Sequence, residues 1–101
     1  MEFKWEKDML AGIDEDGSQA ARVKFRIGAQ GNYIIDQVWV DPDHRGQGLA
    51  GKITSTFMNK MSRANKRVVP RCSFAARYIS LHPEYRRLVA QEHPGRPSQN
   101  K

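Results

Sequence analysis

The sequence predicts a mixed α/β fold: an antiparallel meander, then a strand–helix–strand crossover, then short helices. Three patterns predict it. Residues 21–27 alternate apolar and basic, the period of a half-buried strand. Leu49, Ile53, Phe57 and Met61 recur every four residues, which marks one face of a helix. Between them, Tyr33–Val40 is apolar on both faces apart from Asp36 and Gln37, as a central strand would be, and it runs into a glycine-rich turn.

Each element follows from local chemistry. Phe3 and Trp5 alternate with charges, which fits a short edge strand or a packed lead-in, and Met9–Ile13 is a weaker strand. Asp14-Glu15-Asp16-Gly17-Ser18 has turn composition, because Asp and Gly tolerate the dihedrals a turn needs. Gly28-Ala29-Gln30-Gly31-Asn32 is a second turn before the Tyr33 strand. The helix begins near Leu49 and ends at Asn65-Lys66-Arg67. Val68-Val69 starts a short strand that Pro70 confines to an edge or ends. Handedness then requires a right-handed crossover, with this strand parallel to Tyr33–Val40. Ser73 reads as the N-cap of a helix through Leu81, His82-Pro83 breaks it, and Glu84–Val89 is a last short helix. Residues 1–91 read as a single domain and 92–101 as a disordered basic tail.

Composition narrows the function. One cysteine in 101 residues excludes an internal disulfide framework and a cysteine-built zinc site, and no metal is expected. No apolar run approaches the roughly 18 residues of a membrane span, and Met1–Leu10 does not read as a secretory leader, so a cytoplasmic protein is expected. Charge is uneven. Residues 1–20 hold two lysines and six acids, and no acid occurs between Asp43 and Glu84. A long basic stretch in so small a chain points to a polyanionic partner.

Arg45-Gly46-Gln47-Gly48-Leu49-Ala50-Gly51-Lys52 is the site-like segment. Free N–H groups and the positive dipole end at a helix start suit a phosphate, and glycines let a ligand approach the backbone. Three phosphate-binding patterns overlie it. Gly46, Gly48 and Gly51 match the dinucleotide fingerprint, but no acid stands about 20 residues on to hold a ribose, and a meander precedes the turn. Gly46, Gly51 and Lys52 nearly match a P-loop, but Ile53 stands where a magnesium-binding Ser or Thr belongs. The third pattern is Arg or Gln, any two residues, Gly, any residue, then Gly or Ala; Arg45, Gly48 and Ala50 meet it.

That third pattern resembles the coenzyme A signature of the GNAT superfamily of N-acetyltransferases. Val38 through Ala50 resembles the family's strand, loop and helix start throughout. Cys72-Ser73-Phe74 and His82-Pro83-Glu84-Tyr85 are similar to its short, single-domain members, and the likeness covers roughly Met9 to Val89. The resemblance implies a GNAT-like α/β fold in which Tyr33–Val40 and Val68–Arg71 splay apart around a pantetheine arm. It implies that the arm pairs with the first strand, at Val38 and Val40. It implies pyrophosphate contacts from backbone N–H groups of Arg45, Gly46, Gln47, Gly48, Leu49 and Ala50. The activity implied is acetyl transfer from acetyl-coenzyme A to an amine, either a small molecule or a protein lysine or N-terminus.

Such a reaction needs an oxyanion donor, a base and an acid for the leaving sulfur. The family supplies the first from a backbone N–H near Val40. Tyr78 stands where many members carry the acid. Cys72, just before a helix start that favours a thiolate, is the other candidate, as acid or as acyl carrier. His44 and His82 are weaker candidates for the base, and Asp36 is a candidate for lining the acceptor side. Arg45, Lys52, Arg63, Lys66, Arg67 and Arg71 are available to attract the polyanion, with Arg45 the expected contact. The partners expected are acetyl-coenzyme A and an amine, for a monomer or weak homodimer. Two readings stand beside this one: a GNAT fold that binds coenzyme A without catalysis, and a small basic nucleic-acid-binding module carrying Phe57, Phe74, Tyr78 and Tyr85.

Overall fold

The structure, a computed structural model, describes residues 1–90. Its elements are β1 (Glu2–Trp5), β2 (Met9–Ile13), β3 (Gln19–Ile27), β4 (Tyr33–Val40), a 3-10 turn (Pro42–His44), α1 (Leu49–Arg63), β5 (Val68–Pro70), α2 (Ser73–Ser80) and α3 (Pro83–Arg86). The strands form one sheet in chain order, antiparallel from β1 to β4, with β5 parallel to β4. The meander and crossover expected from the sequence are both present. The basic tail assigned to residues 92–101 lies outside the described residues, and no helix among those described is long and apolar enough to cross a membrane.

One face of the sheet carries the core. Leu10, Val23, Phe25 and Ile35 meet Ile53, Phe57 and Met58 of α1, Ala75 and Ile79 of α2, and Tyr85 of α3. Phe57 is fully buried, with ring centroids 5.5 Å from Trp5 and 5.4 Å from Phe25. Trp5 thus combines both roles open to it, as edge strand and as packed lead-in. Helix α1 stops where Asn65 adopts a left-handed conformation (φ 59°) and Lys66 N–H reaches back to Met61 C=O at 2.9 Å. Asn is among the few residues that tolerate this geometry at low cost.

The opposite face bears no helix among the described residues, since all three helices join the core. Its side chains satisfy one another. Arg22 lies 4.5 Å over the Trp39 ring and donates to Gln37 and Gln19, each at 3.1 Å. Arg26 pairs with Asp36 at 2.8 Å, and Lys24 with Asp8 at 3.8 Å. Strand β4 is therefore covered on one face only, not on two.

Two boundaries differ from the sequence reading. Cys72, not Ser73, is the N-cap of α2, and it makes no side-chain cap bond. Helix α3 ends at Arg86, and Val89 instead forms a bridge to Val68. His82 precedes α3, but its Nδ1 donates to Tyr78 C=O at 2.6 Å, so it closes the end of α2.

Candidate functional site

Strand β4 changes character half-way along. Tyr33, Ile34 and Ile35 pair with Val68, Val69 and Pro70 of β5. Then Arg71 and Cys72 both donate to Ile35 C=O, at 3.0 and 3.2 Å, and the chain turns away into α2. Beyond Ile35 that edge of β4 has no strand partner, which is the expected splay. A bulge marks the same place: Lys24 pairs with Gln37 and Phe25 with Ile35, leaving Asp36 as the extra residue. A bulge shifts the side-chain phase by one, so Ile35 and Val38 both face the core while Asp36 and Gln37 both face outward.

Hydrogen-bond alternation fixes what the free edge offers. Asp41 N–H bonds Ala20 C=O across β3 at 2.8 Å. Antiparallel residues alternate, so Val40 and Val38 aim their backbone groups away from β3, into the V. Arg45 folds back over this edge and donates from Nε to Val40 C=O at 3.2 Å.

The V opens onto the glycine turn. Asp41 caps the 3-10 turn by accepting from Asp43 N–H at 3.1 Å. Gly46 (φ 84°) and Gly48 (φ 72°) are left-handed, and a Cβ on either would meet nothing within 4 Å. Backbone conformation, not a neighbouring protein atom, calls for glycine at these two positions. Helix α1 then starts with no side-chain cap and no acid in its first turn. Its first bond back is Lys52 N–H to Gly48 C=O at 3.0 Å, so the preceding N–H groups remain available to an anion, with the dipole behind them. Gly51 has a different role. A Cβ there would stand 3.2 Å from Cε1 of Tyr78, so this glycine lets α2 close against α1.

These parts share one cleft of about 300 Å³, lined by Val38, Val40, His44, Arg45, Gly46, Gly48, Leu49, Ala50 and Phe74. Seven of the eight residues selected from the sequence for cofactor binding therefore lie together. Gln47 faces an adjoining cavity of about 480 Å³ with Met1, Asp14, Glu15 and Asp16, and His44 lines both. Phe74 was not selected as a site residue. In the sequence it stands out in the Cys72-Ser73-Phe74 motif and among the aromatics of the nucleic-acid reading.

The expected catalytic candidates lie beside this cleft and not in its lining. Cys72 is half-buried against the core where β5 ends. The Tyr78 ring rests on Gly51 and stacks 3.9 Å from His82 and 6.0 Å from Phe74. Asp36 is on the outer face, paired with Arg26, so it does not belong to a buried strand face. His44 has both ring nitrogens engaged: Nδ1 with Asp41 at 3.1 Å and Nε2 with Asp14 at 3.2 Å. The hydrogen bond to Asp41 raises it above its ordinary value of 6.5, with the Asp14, Asp41 and Asp43 charges adding against partial burial. Arg63, Lys66 and Arg67 stand at the far end of α1. A helix of 15 residues is about 22 Å long, so they contribute field and not contact at the glycine turn. No group of three or more metal-ligating side chains is found among the described residues.

A parallel strand pair that splays beside an uncapped helix start defines the class: a mixed α/β domain with a cleft between strand edge and helix start. A family profile described as GCN5-related N-acetyltransferase matches residues 9–88. The chain belongs to that family. Two solved structures share the fold. A GCN5-like protein from Staphylococcus aureus, provisionally assigned as an N-acetyltransferase, superposes with a TM-score of 0.70 at 21% identity, over 93% of this chain and 92% of its own. A protein from Klebsiella pneumoniae, provisionally assigned as an acyl-CoA N-acyltransferase, gives 0.53 at 22% identity, over 61% of this chain and 43% of its own. No curated protein matches the chain.

Proposed function

We propose that the protein transfers an acetyl group from acetyl-coenzyme A to an amine. One observation carries this reading: the unpaired edge of β4 and the uncapped start of α1 open into the same cleft. The pantetheine amides match the Val38 and Val40 backbone groups. The pyrophosphate matches the N–H groups from Gly46 to Ala50, with the Arg45 guanidinium beside them. Phe74, Val38 and Val40 supply the apolar wall.

In the reaction the amine nitrogen attacks the thioester carbonyl carbon, the C–S bond breaks, and the amine proton leaves as the sulfur gains one. Unpaired β4 N–H groups near Val40 are the donors available to the oxyanion. Cys72 and Tyr78 are the candidates to protonate the sulfur. Cys72 also offers a two-step route, in which its thiolate takes the acetyl group before the amine does. The bare outer face of the sheet leaves the acceptor side open, in keeping with a protein amine or an exposed small one. We assign the protein to the cytoplasm as a monomer or weak homodimer.

A second reading, a coenzyme A binder without turnover, is favoured by the position of Cys72 and Tyr78 outside the cleft lining. Turnover of acetyl-coenzyme A with a panel of amines and lysine peptides separates the two. Product formation establishes the enzyme. Binding without product on any amine establishes the binder. Intact mass then tests the route: no adduct of one acetyl group, with full activity of Cys72→Ser, excludes the covalent path.

A further inference from the structure

His44 belongs to neither the nucleophile nor the acid of the proposed reaction, yet it is the one side chain that lines both cavities. Its surroundings are built from two distant segments. Asp14 divides its carboxylate. Oδ1 accepts from Asp16 N–H at 3.1 Å and Ser18 N–H at 3.0 Å, which holds the β2–β3 turn, while Oδ2 lies 3.2 Å from His44 Nε2. Asp41 Oδ2 lies 3.1 Å from Nδ1 and also accepts from Asp43 N–H at 3.1 Å. The imidazole is thus the only polar side chain tying the glycine turn to the β2–β3 turn among the described hydrogen bonds and ion pairs. Its side chain is 25% exposed, against 17% for Asp14.

We propose that His44 is a positioning residue for coenzyme A: its protonated ring bridges Asp41 and Asp14, fixes the glycine turn, and makes cofactor affinity fall as pH rises. This rests on the proposed coenzyme A site. The chemistry is a donor count. An imidazolium donates from both nitrogens, whereas neutral imidazole has a single N–H, so one aspartate then faces a lone pair. Losing either bond frees the turn that must present its N–H groups to the pyrophosphate. Losing the positive charge removes an attraction at the cleft wall as well. Both effects have the same sign.

The other titratable residues near the ring are Glu15, Asp16 and Met1, which line the adjoining cavity, and Asp43 and Arg45 on the ring's own loop. The charges of Asp14, Asp41 and Asp43 favour the imidazolium. Because the ring is held above 6.5 by Asp41, the bridge is complete below that pH and is lost as pH rises through the folded-state value.

The test is acetyl-coenzyme A binding by calorimetry from pH 5.5 to 8.5, wild type against His44→Gln and Asp14→Asn. The imidazole carbon shifts are followed by NMR with and without ligand. The cofactor's own phosphate monoester titrates near 6, so the readout is the difference between wild type and variant. Dephospho-coenzyme A repeats the measurement without that group. The expected result is a wild-type affinity that falls about fivefold relative to that of His44→Gln across the His44 titration, at the lower end of inter-site coupling. His44 should also titrate higher with ligand bound, by reciprocity, and lower in Asp14→Asn. Parallel profiles for wild type and His44→Gln, with coenzyme A still binding, overturn the bridge and leave the coenzyme A site standing. No binding at any pH overturns the site, and the bridge with it.

Discussion

The two halves of β4 have opposite fates. Tyr33–Ile35 is paired on both edges, and Ile35 is fully buried in the core. Gln37–Val40 is paired on one edge, half-exposed at Val38 and Val40, and forms a cleft wall. Apart from Gln37, the sequence is apolar in both stretches. What separates them is the partner: β5 ends at Pro70, which has no N–H to give the sheet, and the chain leaves at once through Arg71 and Cys72. A short strand thus converts the end of a long one from structure into site. Backbone donors left without a partner are costly when buried, and here they face an open cleft where a ligand can satisfy them.

Substitutions along this axis sharpen the contrast, beginning with the largest effect. Ile35→Ala should cost about 2–5 kcal/mol in urea unfolding, as a core truncation does, while the folded fraction binds acetyl-coenzyme A normally. Val38→Ala should reverse the pattern, with a smaller stability loss and weaker binding. Equal stability losses at the two positions would erase the distinction between the halves. Next, Gly48→Ala forces a side chain into the left-handed region and should cost about 1–2 kcal/mol, with a loss of affinity because the N–H groups of the turn are re-aimed.

Gly51→Ala tests a smaller effect through a cycle. Alanine favours a helix over glycine by up to about 1 kcal/mol, but its Cβ meets Tyr78 Cε1 at 3.2 Å. The substitution should therefore be neutral or destabilising alone and stabilising in a Tyr78→Ala background, a coupling that thermal melts detect. Additive melting shifts would mean that Gly51 is not there for Tyr78. Smallest is Asp36→Asn. Its exposed pair with Arg26 is worth about 0–1 kcal/mol, and coenzyme A affinity should not change. A binding loss there would move the site toward the bulge.

Much of this was legible in the sequence because it is local. The alternation of Ala21, Val23, Phe25 and Ile27 reports one buried face, although Ile27 itself ends up exposed at the strand's end. The fourfold spacing of Leu49 to Met61 reports α1, and four of the seven glycines among the described residues have positive φ, Gly46 and Gly48 among them. The bulge was less visible. Two consecutive polar residues, Asp36 and Gln37, inside an apolar strand were its trace, and they read as exceptions to a central strand instead. The bare outer face could not be read at all, since exposure depends on which helices exist and where they pack. Phe74 reached the cleft, and Asp14 reached His44, through tertiary approach across long sequence separations. No spacing rule encodes such meetings. The basic stretch misled in detail: it follows α1 from end to end, so most of its charges lie too far from the glycine turn to touch a ligand there.

The central claim is that acetyl-coenzyme A occupies the opening where β4 and β5 part, with its phosphates on the start of α1. Amide shift perturbation in 15N-labelled protein, titrated with acetyl-coenzyme A at moderate salt, tests it most directly. The account predicts the largest shifts at Val38, Val40, Gly46, Gly48, Leu49, Ala50 and Phe74, with little change at Arg63, Lys66 and Arg67. Shifts centred on that far basic end instead, fading steeply as salt is raised, would contradict it and mark a polyanion surface in its place.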